Sequence, residues 1–367
     1  MSFRIEEKLE WGPLATFVPN KHTPIYNWFY YKEGFSRELV LKIIEMFSID
    51  KGWVLDPFCG VGTTNLACRE KGIDSIGFDV SPLALLAAKV KCRSYNTKKL
   101  SEAFSLLKEA KFVPQNKAWI PPNIKRFFNP HTLDDVLFFA KEIEKIEDVE
   151  VREFFRLALI TTTTRCSFMY KDGSVVKIRK HPVPPFRKVY FARIKRMISD
   201  LERLKTKECK TIIEWGDARK IPLENETIDF VITSPPYLNK IEYTKVYRVE
   251  EFLFFGDKKG GSYIGQRPLG DEIFEWLPLE ANIYFSDMKK VLREIYRVCK
   301  KDGKVAIVVG NGCFPHMVVE SDVLLAKIAE ELGFSIKKIF VLNKRWCMKN
   351  RVEKVGILRE SMIVMEK

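Results

Sequence analysis

Apolar residues recur along this chain in two rhythms. Short runs rich in valine and isoleucine occur at "GWVLDPF" (52–58), "IDSIGFDV" (73–80), "KTIIEWGDA" (210–218), "IDFVITS" (228–234), "GKVAIVVG" (303–310), "SIKKIFVLN" (335–343) and "ESMIVMEK" (360–367). Runs of this length and composition predict buried strands. Between several of them the apolar spacing changes to three and four, as in "ANIYFSDMKKVLREIYRVCK" (281–300) and "SDVLLAKIAEEL" (321–332), which predicts amphipathic helices. Strands alternating with helices predict a doubly wound α/β sheet, mostly parallel. Ligands of such sheets bind beyond the carboxyl ends of the strands, so the residues closing each strand are where chemistry is expected.

The alternation breaks once, between the second and third runs. Residues 101–160 carry helical periodicity ("SEAFSLLKEA", "LDDVLFFAKEIEKI", "VREFFRLALI"). Residues 165–207 hold thirteen basic residues, among them Arg165, Arg193, Lys195 and Arg196, against three acidic ones, so this stretch carries +10 of the chain's net +14. A connection of this length is far beyond an ordinary crossover. The chain therefore divides into an aromatic N-terminal arm (1–45), a first half of the sheet (46–100), a helical, basic insertion (101–209) and a second half of the sheet (210–367).

Three strand ends carry residues suited to one ligand. "LDPFCGVGTTNLA" (55–67) runs from strand through a glycine-rich turn into helix; Gly60 and Gly62 let the backbone turn tightly and approach a bound molecule. Asp79 closes the second strand, where a carboxylate can accept from ribose hydroxyls, and Asp217 follows the third, placed to accept from an adenine amine. The fourth run ends in "TSPPYLNKIEY" (233–243). Proline has no backbone N–H, so Pro235 and Pro236 stop the strand and leave carbonyls unpartnered beside the ring of Tyr237. That is a pocket of hydrogen-bond acceptors with a flat aromatic wall.

Together these motifs resemble the S-adenosylmethionine-dependent amino-methyltransferases of nucleic acids, which combine F-x-G-x-G with [DNS]-P-P-[YFW]; here these are Phe58-Cys59-Gly60-Val61-Gly62 and Ser234-Pro235-Pro236-Tyr237. The resemblance implies a seven-stranded Rossmann-like methyltransferase sheet. It also implies S-adenosyl-L-methionine held at Asp56, Phe58, Gly60 and Gly62, with its ribose on Asp79 and its adenine on Asp217. Catalysis falls to Ser234, Pro235, Pro236 and Tyr237. Ser-Pro-Pro-Tyr is the form typical of cytosine-N4 enzymes, whereas Asp or Asn in first place is commoner for adenine N6. Asn239 and Tyr243 could line the base pocket, and Asn311, in "GNGC", ends a strand at the same edge. Tyr30, Tyr31, Phe35 and Ser36 match by position the element covering the methionine end of the cofactor.

Composition narrows the partners. The +14 charge suits a polyanion such as nucleic acid. The opening "MSFRIEEKLEWG" lacks the apolar core of a signal peptide and no apolar run approaches bilayer length, so a cytoplasmic protein without a membrane partner is expected. The eight cysteines include no C-x-x-C pair and the four histidines are isolated, which predicts reduced, mostly buried thiols and no metal site. Methylation of cytosine at C5 needs a thiolate, commonly in a Pro-Cys pair, and the chain has none. Two glutamines beside abundant lysine and glutamate hint at a thermophile.

Three functions fit: a cytosine-N4 methyltransferase of structured RNA, ribosomal RNA foremost; a DNA cytosine-N4 methyltransferase of restriction-modification type; and a non-catalytic nucleic-acid-binding protein. The intact motifs disfavour the last. Duplex readout generally needs a dedicated reading module, and the insertion lies where the common DNA enzymes do not carry one. A compact basic face suits a folded RNA. The expectation is therefore RNA, with DNA as the alternative.

Overall fold

The computed structural model describes residues 3–172, 175–238, 243–256, 263–266, 273–274, 276–349 and 352–367. Its strands are β1 (Ile5–Glu7), β2 (Trp53–Asp56), β3 (Asp74–Asp79), β4 (Met169–Asp172), β5 (Val175–Ile178), β6 (Thr211–Trp215), β7 (Ile228–Thr233), β8 (Cys299–Gly310), β9 (Gly312–Phe314), β10 (Met317–Val319), β11 (Ser335–Lys349) and β12 (Glu353–Glu366). Eight of them form one sheet in the order β1-β11-β12-β8-β7-β2-β3-β6. All seven anticipated strands are in it. The eighth, β1, is three residues long with two glutamates, too short and polar for a period to show; it pairs in parallel with Ile339–Val341.

The sheet is doubly wound residue by residue. Val54, Ile232, Ala306, Val308 and Met362 join a core with Leu39, Val40 and Ile43 of helix Arg37–Phe47. Their neighbours Leu55, Val231, Val305, Ile307 and Ile363 join another with Phe285, Met288 and Leu292 of helix Leu279–Val298. Alternate side chains of each strand thus bury on opposite faces, which is why these strands read as unbroken apolar runs. β12 departs from the parallel set: it is antiparallel to both β8 and β11.

Strand order reverses at β2, which pairs with β3 on one side and β7 on the other, both in parallel. That is the topological switch point, where a crevice opens beyond the strand ends.

The boundaries expected at 45, 100 and 209 do not separate independent cores. Helices Val149–Arg165 and Phe186–Arg203 of the insertion bury Phe154, Phe155, Tyr190 and Ile194 in one cluster with Trp28 of the arm and Leu86 of helix Pro82–Lys91. The insertion is a helical flank of the sheet domain. Among the described residues no helix is long and apolar enough to cross a membrane.

Candidate active site

At the end of β2 the chain turns through Pro57–Gly62 into helix Thr63–Lys71. The turn is held from β3: Cys59 N donates to Phe78 O (2.9 Å) and Gly60 N to Asp79 Oδ2 (2.9 Å). Gly60 and Gly62 both take positive φ, +50° and +76°, conformations costly to residues with a Cβ. Their surroundings differ. A Cβ on Gly60 would lie 3.4 Å from Cε1 of Tyr31, in the slot between the turn and the arm. A Cβ on Gly62 would lie 3.0 Å from Cα and Cβ of Ala88. Gly62 therefore serves the contact between two helices and does not line the crevice, which corrects its expected part in cofactor contact.

The crevice has Tyr31, Phe58, Gly60, Asp79, Asp217 and Ser234 in its walls. Its lining combines apolar and aromatic walls with a few convergent polar groups, as ligand sites do. Asp79 accepts from Ser81 N (2.8 Å) with its other oxygen, and burial raises its pKa in spite of these backbone donors. Asp217 is gripped by Arg219, Nε to Oδ1 at 2.9 Å and Nη2 to Oδ2 at 2.7 Å, and Arg219 reaches on to Asp287 Oδ2 (2.8 Å). Arg219 N also donates to Oδ1 (3.0 Å), so backbone and fork together fix the orientation of the Asp217 carboxylate at the crevice wall.

Asp56 has a structural part besides the one expected. Its Oδ1 accepts from Thr233 Oγ1 (2.6 Å) and Phe58 N (3.1 Å), and its Oδ2 from Thr64 Oγ1 (2.7 Å). Burial pushes its pKa up to about 6, against those three hydrogen bonds. The carboxylate lines the crevice and also braces the glycine turn to Thr233, the residue before Ser234.

β7 stops at Thr233, as the prolines require. Ser234 and Pro236 face the crevice; Pro235 is buried beside them. The Tyr237 hydroxyl donates to Glu360 Oε1 on β12 (2.9 Å), and the ring packs partly against the core beneath the sheet. Asn239 lies outside the described residues. Tyr243 begins a short helix, Tyr243–Val246, and its side chain is outside the description. Asn311 is buried and caps helix Ser321–Glu331, its Oδ1 accepting from Asp322 N (3.3 Å).

Of the four arm residues, Tyr31 and Phe35 line the crevice. Ser36 instead caps helix Arg37–Phe47 through Leu39 N (3.2 Å), and Tyr30 sits edge-on to Phe17, largely exposed. Tyr31 stacks on Tyr247 with centroids 5.4 Å apart. Behind Tyr247 lies the Lys171 ammonium, 3.7 Å from its ring centroid and 2.8 Å from the buried Glu250. The β4–β5 hairpin of the insertion thus buttresses the cofactor side of the crevice. Sequence reasoning missed Tyr247, Lys171, Arg219 and Glu360. Only Arg219, two residues after Asp217, left a local signal.

Within the basic stretch, Lys171, Lys177, Arg187 and Arg203 are occupied in ion pairs. Arg165, Arg193, Lys195 and Arg196 make none among the described residues. Burial, together with the charges of Arg165 and Arg196, lowers the Arg193 pKa against the opposing charge of Asp200. The cysteine expectation needs one correction: Cys313 and Cys347 form a disulfide across a sequence separation of 34. Strands β9 and β11 bring them together, which spacing alone cannot reveal. Among the free thiols, burial pushes Cys166 up to about 11 and Cys92 and Cys299 up to about 12, leaving them protonated and inert at neutral pH.

The chain belongs to the N6/N4 DNA methylase family, whose pattern matches residues 11–89 and 228–367. It is 26% identical to the Type II methyltransferase M.BsoBI of Geobacillus stearothermophilus, over 96% of this chain and 88% of that protein. It is likewise 26% identical to M.AvaI of a Nostoc species, over 92% and 85%. A shorter match, 27% identical over 60% of this chain and 35% of the relative, is to M.MjaII of Methanocaldococcus jannaschii. A solved SAM-dependent methyltransferase of Methanosarcina mazei aligns at TM-score 0.37 and 11% identity, over 89% of this chain and 96% of that one.

S-adenosyl-L-methionine is the cofactor of this methyltransferase, and the slot that a Cβ on Gly60 would narrow fits it. The expected lean to RNA is not supported: the family is one of DNA methylases. The position of the insertion, which had favoured RNA, loses its force because the alignment to M.BsoBI spans nearly the whole chain.

Proposed function

We propose that this enzyme methylates the exocyclic N4 amine of cytosine in duplex DNA, as the modification partner of a Type II restriction system. The observation that carries this reading is the Ser234–Tyr237 loop, set beside the cofactor crevice and tied to its glycine turn by Asp56. When bound, S-adenosyl-L-methionine supplies an electrophilic methyl group on a sulfonium. The protein's task lies with the amine, whose lone pair is delocalised into the ring. The Ser234 hydroxyl and a carbonyl freed by the prolines accept the amine hydrogens and draw the nitrogen toward a tetrahedral shape. Tyr237, oriented by Glu360, stacks on the base, a contact worth about 1–3 kcal/mol. The methylated ammonium is acidic and loses its proton to solvent, so alignment and fixed dipoles are the main catalytic contributions. A base inside a duplex must first be flipped out. Asp79 receives the cofactor ribose and Asp217 its adenine amine.

The family pattern leaves out residues 90–227, the region that holds the insertion. Arg165, Arg193, Lys195 and Arg196 are assigned to the DNA phosphates. Labelled-methyl transfer tests both assignments. Duplex DNA is expected to be labelled and ribosomal RNA not, with DNA binding falling by about 0.9 log unit per phosphate contact for each tenfold rise in salt. Reversing Arg193, Lys195 and Arg196 to glutamate flattens that slope and leaves cofactor affinity unchanged. Labelling of RNA alone refutes the substrate, and an unchanged slope in the folded triple variant refutes the phosphate contacts.

A further inference from the structure

The two C-terminal strands are longer than the sheet they belong to. β12 pairs with β8 only from Glu366 back to Glu360, opposite Gly310, and β11 meets β1 only at Ile339–Val341. Beyond these points Lys344–Lys349 pair solely with Glu353–Arg359. Gly310 is the carboxyl end of β8, and Thr233 of β7 is level with Ile307. The ribbon therefore projects past the edge that carries the active site, and at its foot Glu360 holds the Tyr237 hydroxyl.

Its two faces differ. On one, Cys347 is joined to Cys313, Leu358 is buried, and Gly356 faces Val318. On the other, Trp346 and Ile357 are directly paired across the strands, each 50% exposed. Met348 is exposed opposite Lys354, whose ammonium lies 4.4 Å from the Trp346 ring centroid. Residues 344–359 contain six basic residues and one acidic. Lys344, Lys349 and Arg359 are paired with carboxylates, whereas Arg345 and Lys354 have no ion pair among the described residues.

We propose that this ribbon enters a groove of the substrate DNA beside the flipped base, with Trp346 and Ile357 against base edges and Lys354, on the same face, at a flanking phosphate. The inference rests on the DNA reading above. A two-stranded ribbon fits the major groove, about 12 Å wide, where apolar side chains can also meet thymine methyls. Six paired residues at about 3.4 Å each give a reach of roughly 20 Å, enough to cross it. Charge argues against a second copy as occupant, because a two-fold contact would set the same cations against themselves. The substrate would then be held from two sides, by the ribbon and by the arginine cluster of the insertion.

The test compares the full-length enzyme with Trp346→Ala/Ile357→Ala and with Lys354→Glu. KM for duplex DNA should rise by about tenfold or more in each variant. Cofactor affinity by calorimetry and turnover at saturating DNA should stay near the parent values, which also verifies folding. An unchanged KM in variants that bind cofactor, with a parent enzyme active on DNA, overturns the ribbon assignment alone. A change in sedimentation without a change in KM assigns the face to self-association and overturns it as well. A parent enzyme inactive on DNA overturns the substrate reading and the ribbon with it.

Discussion

Replacing Gly60 by valine is expected to abolish S-adenosyl-L-methionine binding in a protein that still folds. Two effects combine. Gly60 has φ +50°, a left-handed conformation that costs a non-glycine residue roughly 1–2 kcal/mol, and more when it is β-branched. The new Cβ would stand 3.4 Å from Tyr31, and its methyl groups would close the slot between the turn and the arm. Gly62→Ala makes the contrast. Its Cβ would press on the Ala88 backbone at 3.0 Å, so it should lower stability by about 1–3 kcal/mol while the folded fraction binds cofactor normally. Calorimetry separates the two, and undiminished affinity in folded Gly60→Val would remove the turn from the cofactor site.

Tyr237→Ala should remove most of the catalysis and little of the cofactor binding. The lost stack on the base is worth about 1–3 kcal/mol, a factor of roughly 5–150 in rate if it acts wholly on the transition state. Tyr237→Phe keeps the ring but loses the hydrogen bond to Glu360, so its turnover should lie between alanine and the parent. Ser234→Ala should also slow turnover, and Ser234→Asp should keep part of it, since a carboxylate accepts the same amine hydrogens. Methylation at the normal rate by Tyr237→Ala would move the base pocket elsewhere.

What could be read in advance was whatever local order determines. Strands buried on both faces announce themselves as valine and isoleucine runs, and prolines 235 and 236 mark the end of β7 from sequence alone. Asp56 could not be understood that way. Its partners Thr64 and Thr233 stand 8 and 177 positions away, and only the pairing of β2 with β7 reveals it as a brace. Gly62 misled for a similar reason, since a glycine needed for a ligand and one needed for a helix contact look alike until Ala88 is seen opposite. The ribbon escaped notice because its run of lysine, arginine, tryptophan and cysteine has no buried face on the main sheet to impose a period. Cys347 needed the fold to find Cys313. RNA against DNA was decided by relatedness, because a basic flank suits either polyanion.

The central claim is that the Ser-Pro-Pro-Tyr loop directs methyl transfer to the N4 amine of cytosine in DNA. Mass spectrometry of nucleosides from duplex DNA incubated with the enzyme and S-adenosyl-L-methionine tests it most directly. The expected product is N4-methyl-2′-deoxycytidine, formed much more slowly when Tyr237→Ala replaces the parent enzyme. N6-methyl-2′-deoxyadenosine as the product would contradict it.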